Sequence, residues 1–185
     1  VTRMMDSSKR RIPYQKKIGT GLSPEEFKRM IEEKRITGHV GLIESIAMIA
    51  DALGWELEEI QELPPEPVIA EEEIVTSHTT VKTGQVAGLK SVAHGIKEAK
   101  NVITLEFVSH AALKEEYDAV SIEGVPNIYE KIEGGVHGDI GTVATIINAI
   151  PKVINANPGL VTMKDLPLPS ATPEDMRIYI NWREA

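Results

Sequence analysis

Cysteine is absent from these 185 residues, which removes disulfides and thiolate metal sites from consideration. Aromatic side chains make up only 4%, too few for base-stacking platforms. Positive charge is in deficit. With a formal net charge of −8, a nucleic-acid partner is disfavoured, because phosphate-backbone binding rests on basic surface. No long apolar run stands where a leader or a membrane span would, so a cytoplasmic protein with no membrane partner is expected. No Gly-x-Gly-x-x-Gly follows a strand, and Gly19-Thr20-Gly21 runs into Leu22-Ser23-Pro24, so this chain does not hold a dinucleotide in the Rossmann manner by itself. A Gly-x-Ser-x-Gly nucleophile elbow is missing too. The histidines at 39, 78, 94, 110 and 137 are spread without His-x-x-x-His spacing, and no metal is expected.

What is present is a 42% hydrophobic composition, enough for one domain with a proper core. The chain opens on Val1 rather than Met, with apolar residues leading straight into a basic stretch, and so reads as a domain cut from a longer protein. Lys9, Arg10, Arg11, Lys16 and Lys17 reverse the local sign of charge. Such a patch either holds a carboxylate or phosphate or is a solvated loop.

Ser23-Pro24-Glu25-Glu26 supplies a cap, a proline at the first helical position and a capping-box glutamate, which predicts a helix to about Lys34 with Phe27, Met30 and Ile31 on its buried face. A second helix runs through Ile46 to Leu53, apolar nearly all round, with Gly54 as its stop. On a buried helix, Glu44 needs an ion-pair partner or a ligand. Leu63 to Pro67 cannot continue a helix and forms a connector. Beyond it, Val68–Thr76, Thr79–Ala93, Val102–Ser109, Tyr117–Glu123 and Ile128–Ile132 read as strands, the last two joined by a hairpin loop at Gly124-Val125-Pro126-Asn127. Thr79–Ala93 is either a subunit-pairing surface or an ordinary central strand.

A glycine-rich stretch, Gly134-Gly135-Val136-His137-Gly138-Asp139-Ile140-Gly141-Thr142, then leads into a helix whose apolar stripe from Val143 to Ile154 suits packing on the sheet, with Pro151 kinking or limiting it. It admits two readings. Either the helix N-terminus receives a polar or anionic ligand, or the glycines make a tight turn with Asp139 as N-cap. The expected fold class is α+β: a mixed, largely antiparallel sheet covered by helices on one face.

Arg3-Met4-Met5-Asp6, Gly19-Thr20-Gly21-Leu22-Ser23-Pro24-Glu25-Glu26-Phe27, Gly38-His39-Val40-Gly41-Leu42-Ile43-Glu44-Ser45 and Gly134-Gly135-Val136-His137-Gly138-Asp139 occur in order. This set resembles the C-terminal part of 2,4-diaminopentanoate dehydrogenases and their dihydrodipicolinate-reductase-like relatives. The resemblance covers about Val1 to Pro169 as one substrate-binding and oligomerisation domain (1–169), and leaves 170–185 as a tail. It implies an upstream Rossmann domain that binds NAD or NADP, a homo-oligomer (dimer or tetramer), and oxidative deamination of a small diamino acid resembling 2,4-diaminopentanoate. That chemistry asks the protein for orientation, a base for the amine proton and anion contacts for the carboxylate.

His137 and Asp139 are the expected catalytic residues. Lys16, Lys17, Thr20, Glu44, Gly135, Gly138 and Thr142 are the expected substrate contacts. Dihydrodipicolinate reductases carry a His-His-x-x-Lys run before their Ser-Gly-Thr, and aligning on Gly19-Thr20 puts Lys9 and Arg10 where the histidine pair would fall. The acid used by that family is therefore not carried over. The alternative from another class is a non-catalytic ligand-binding or assembly module of the same fold.

Overall fold

The computed structural model describes residues 1–8, 10–76 and 78–180. The chain divides into two compact units, Val1–Gly135 and Val136–Ala185.

The first unit is built on strands β1 (Thr2–Asp6), β2 (Glu59–Glu62), β3 (Glu66–Ile69), β4 (Ile74–Val75), β5 (Thr80–Val81), β6 (Val86–Lys97), β7 (Lys100–His110), β8 (Tyr117–Ile122) and β9 (Ile128–Glu133). Seven of them form one sheet in the order β2-β6-β7-β1-β8-β9, with β3 also pairing β6, while β4 and β5 make a separate ribbon. Among the described residues only β1 and β7 run parallel, and the other pairs are antiparallel.

Helices α1 (Ile12–Lys17), α2 (Pro24–Glu32) and α3 (Leu42–Ala52) pack on one face of this sheet. In β7, Ile103, Leu105 and Phe107 are buried and alternate with the more open Thr104 and Glu106, as a strand with one covered face requires. The register puts Phe107 opposite Ser91, Leu105 opposite Ala93, and Arg3 opposite Phe107. On that face Phe27 and Ile18 meet Met5, Leu89 and Phe107, and Leu42, Ile46 and Ala50 meet Ala93, Ile103 and Leu105. This is the α+β arrangement expected.

Several boundaries differ from the sequence expectation. β1 and β2 were not anticipated, and the basic stretch contains helix α1. The run 68–76 divides into β3 and β4, and 79–93 divides at Gly84, whose φ of +83° belongs to a turn. Pro67 sits inside β3, which is tolerable because that strand pairs on one side only. Both edges of β6 are used within the chain, β7 along one and β2 and β3 along the other, so it is an ordinary central strand. α3 is buried on one face rather than all round, since Ile43 and Met48 are 43% and 39% exposed. The hairpin at 124–127 joins antiparallel β8 and β9 as expected.

The second unit begins with α4 (Gly138–Asn155). His137, not Asp139, is the N-cap, and the helix continues through the buried Pro151 instead of ending there. Its apolar stripe is exposed in the single chain rather than buried as expected, Ile146 by 62% and Val153 by 50%. A 3-10 turn at Met176–Tyr179 follows, where the Tyr179 carbonyl accepts from Asn155 Nδ2 at 2.8 Å. No described helix is long and apolar enough to cross a membrane.

Candidate functional site

The best-defined polar site of the first unit lies on the helix-covered face of β1 and β7. Its position follows from the turn after β1. There Ser8 N and Oγ both donate to the Asp6 carboxylate at 2.8 and 2.7 Å, and Asp6 N donates to Glu116 Oε1 at 3.3 Å. The buried Gln15 amide donates to the carbonyls of Ser7 and Arg10 at 3.2 and 3.0 Å, which ties α1 to the end of β1. α1 therefore presents Tyr14 and Lys17 from a fixed support. Tyr14 OH donates to Ser109 Oγ at 3.1 Å, and burial pushes its phenol above the ordinary tyrosine value.

His39 enters from the loop between α2 and α3. A Cβ on Gly38 would stand 2.9 Å from Ser91 Oγ and 3.2 Å from Pro65 Cγ, and its φ is +75°, so only glycine brings the loop this close to the sheet. That approach lets His39 N donate to Ser91 Oγ at 3.0 Å and stacks the imidazole on Phe107 with centroids 4.2 Å apart and planes at 24°. Burial pushes the His39 pKa down, and the positive charges of Arg3 and Lys17 push it further in the same direction. Two cations thus act on one half-buried imidazole.

Arg3 is the cross-strand partner of both Phe107 and Asp118, and its Nη1 stands 3.5 Å from Asp118 Oδ2, the side chains being 33% and 20% exposed. Gly135 passes alongside. A Cβ there would lie 3.7 Å from Asp118 Oδ2, and its φ of +63° suits a glycine.

The residues expected from sequence are distributed as follows. Lys17 acts on His39, and Gly135 borders Asp118. Lys16 is exposed in the last turn of α1. Thr20 lies in the Gly19–Gly21 turn with a buried Oγ1 that has no hydrogen-bond partner among the described residues. Glu44 is exposed in the first turn of α3, so the burial argument that singled it out is corrected: it faces outward on a helix buried along one side only. His137, Gly138, Asp139 and Thr142 belong to the second unit, at the N-terminus and first turns of α4, where His137, Asp139 and Thr142 are exposed.

Arg3, His39, Tyr14 and Asp118 were missed as site residues. Arg3 and His39 nonetheless stood inside two of the motifs quoted above, and a charge amid Met4 and Met5 was a usable signal. No group of three or more metal-ligating side chains occurs among the described residues. The described residues do not form a Rossmann-type dinucleotide site either. Of the described strands, only β1 and β7 are parallel, and the six-residue α1 follows β1 without the glycine-rich phosphate loop of a βαβ unit.

The fold is shared with an amine dehydrogenase from Mycobacterium smegmatis, which superposes with a TM-score of 0.76 at 20% identity over 94% of this chain and 52% of that one. Residues 2–182 match the family described as the 2,4-diaminopentanoate dehydrogenase C-terminal domain, and the chain belongs to that family. It is 38% identical over 167 residues to the 2,4-diaminopentanoate dehydrogenase of Acetoanaerobium sticklandii, a match that takes in 88% of this chain and 47% of the relative. The chain thus spans about half the length of the relatives it matches.

Proposed function

We propose that this chain is the substrate side of an NAD(P)-dependent dehydrogenase that oxidatively deaminates a small diamino acid, and that Arg3, Lys17 and His39 receive the substrate carboxylate. The observation that carries the reading is that Arg3 lies opposite Phe107 across paired strands while His39 stacks on that same ring, with the positive charges of Arg3 and Lys17 felt at the imidazole. Cations over a partly dry, aromatic-floored surface attract an anion more strongly than the same cations in water. The family, named for a diamino acid, supplies the substrate class.

In this reading Arg3 gives the planar fork that suits a carboxylate, and Lys17 adds a mobile positive charge. Lys16, Thr20, Glu44 and Gly135 remain proposed secondary contacts in the first unit. For the second unit, taken by itself, His137 and Asp139 are proposed as acid–base groups, with Gly138 and Thr142 as contacts, on the chemistry of these side chains. The cofactor, NAD or NADP, is proposed to be bound mainly by a domain outside this chain, and the whole is proposed to act as a cytoplasmic homo-oligomer.

The test is steady-state turnover of the full-length protein with 2,4-diaminopentanoate and NAD or NADP, followed by reduced-nicotinamide absorbance. Turnover is expected, with the Arg3→Met variant raised in KM. Absence of turnover with retained binding of the diamino acid would leave a ligand-binding module instead, and absence of both would overturn the reading.

A further inference from the structure

Ser91 carries a hydroxyl on the helix-covered face of a central strand, where it is only 2% exposed and where a polar group needs a partner. Its place in the sheet gives it one. Ser91 on β6 is directly opposite Phe107 on β7, and Phe107 is in turn opposite Arg3 on β1, so the three side chains make one row across three strands. His39 lies along that row. Its peptide N–H donates to Ser91 Oγ at 3.0 Å, and its ring stacks on Phe107 with centroids 4.2 Å apart. The backbone thus stands over β6 and the imidazole over β7, which aims the ring along the row toward β1.

The segment that carries His39 has little else to hold it. Ile36 and Leu42 are buried at its two ends, while Val40 between them is 70% exposed. Among the described residues, the bond to Ser91 is the only hydrogen bond made by residues 37 to 40. Gly38, with a φ of +75° and no space for a Cβ beside Ser91 Oγ, brings the peptide within reach. The stack alone would let the ring slide on Phe107, and the hydrogen bond alone would leave the side-chain torsions open. Together they fix both ends of the residue. His39 remains accessible to solvent, so a ligand can reach it.

We propose that Ser91 is a positioning residue for carboxylate recognition: by holding the His39 peptide it sets the imidazole over Phe107 on the side of Arg3, where the substrate carboxylate is received. This rests on the reading of His39 as a carboxylate contact. Arg3 from β1 and Lys17 from the end of α1 are the cations felt at the imidazole, so the titration of His39 reports where its ring stands. Without the Ser91 oxygen the loop lifts and the imidazole leaves both Phe107 and the cations. The loss then falls on affinity for the acid, and the amine end of the substrate is untouched.

The experiment uses the full-length protein and its Ser91→Ala, Gly38→Ala and His39→Gln variants. NMR of the histidine rings gives the His39 titration without reference to turnover. Calorimetric titration gives Kd for 2,4-diaminopentanoate and for 1,3-diaminobutane, the same molecule without its carboxylate. In Ser91→Ala the His39 pKa is expected to rise toward the ordinary histidine value, and Kd for the acid to rise about fivefold, the scale of one hydrogen bond. Kd for the diamine stays near the parent value. Gly38→Ala keeps the hydroxyl but sets a methyl 2.9 Å from it, so it lifts the same loop and is expected to act in the same direction. His39→Gln loses most of the preference for the acid.

If His39→Gln keeps the parent Kd for the acid, the reading of His39 fails and this proposal with it. If His39→Gln weakens the acid but the imidazole titration is unmoved in both Ser91→Ala and Gly38→Ala, positioning alone is overturned. Equal loss for acid and diamine in Ser91→Ala marks a purely structural role and overturns it as well.

Discussion

His39 shows at the residue scale how burial and charge act together. Burial first, then Arg3 and Lys17, hold its pKa below the ordinary histidine value in the folded protein. As pH falls, the unfolded chain takes up this proton before the folded one does, so the folded state loses stability on acidification through the window just below that value. His39→Gln is expected to flatten the dependence of Tm on pH between about pH 5 and 7, the range in which histidine titrates; an unchanged slope would show that His39 is not the group responsible. A carboxylate bound beside it opposes Arg3 and Lys17, so its imidazole NMR titration is expected to move to higher pH when 2,4-diaminopentanoate is added. Neither His39 nor Arg3 was legible as a site residue from spacing. They lie far apart in sequence and are brought together through Phe107, which β1 pairing sets opposite Arg3 and on which His39 stacks.

At the scale of elements, the signals that survived were the local ones. Ser23 Oγ accepts from Glu26 N at 3.2 Å and Glu26 Oε2 accepts from Ser23 N at 3.1 Å, the reciprocal bonds that the four residues spell out. Ser23→Ala is expected to cost about 1 kcal/mol. Phe27→Ala, which empties a side chain only 1% exposed, is expected to cost roughly 3–5 kcal/mol. Urea unfolding of the two variants gives the ratio, and equal costs would contradict the packing described. β7 was legible because its alternation matches a face that is buried. β2, which reads Glu-Ile-Gln-Glu, carries almost no strand propensity and exists because β6 offers it an edge. α1 was hidden among lysines and arginines; it is held by Gln15 bonding the carbonyls of the preceding turn, a contact that no periodicity announces.

For the whole molecule, α4 carries the largest unmet demand. Its isoleucines and valines, Ile146 and Val153 among them, are exposed in the single chain, and the homo-oligomer proposed above would give such an apolar stripe a partner. The 185-residue chain on its own is expected to self-associate in light scattering coupled to size-exclusion chromatography, and the double variant Ile146→Lys/Val153→Lys to run as a smaller species. A parent chain that stays monomeric at every concentration would refute this. The sheet imposes a different requirement. β1, the first of the strands in sequence, lies between β7 and β8, with Thr2 opposite Glu106 on one side and Ala119 on the other. Contacts of such separation form slowly, because a long loop must close before they repay it. During synthesis Arg3 therefore leaves the ribosome long before Phe107 and Asp118 exist to flank it. The strand made early waits for those made late, and the site it carries comes into being only with the finished sheet.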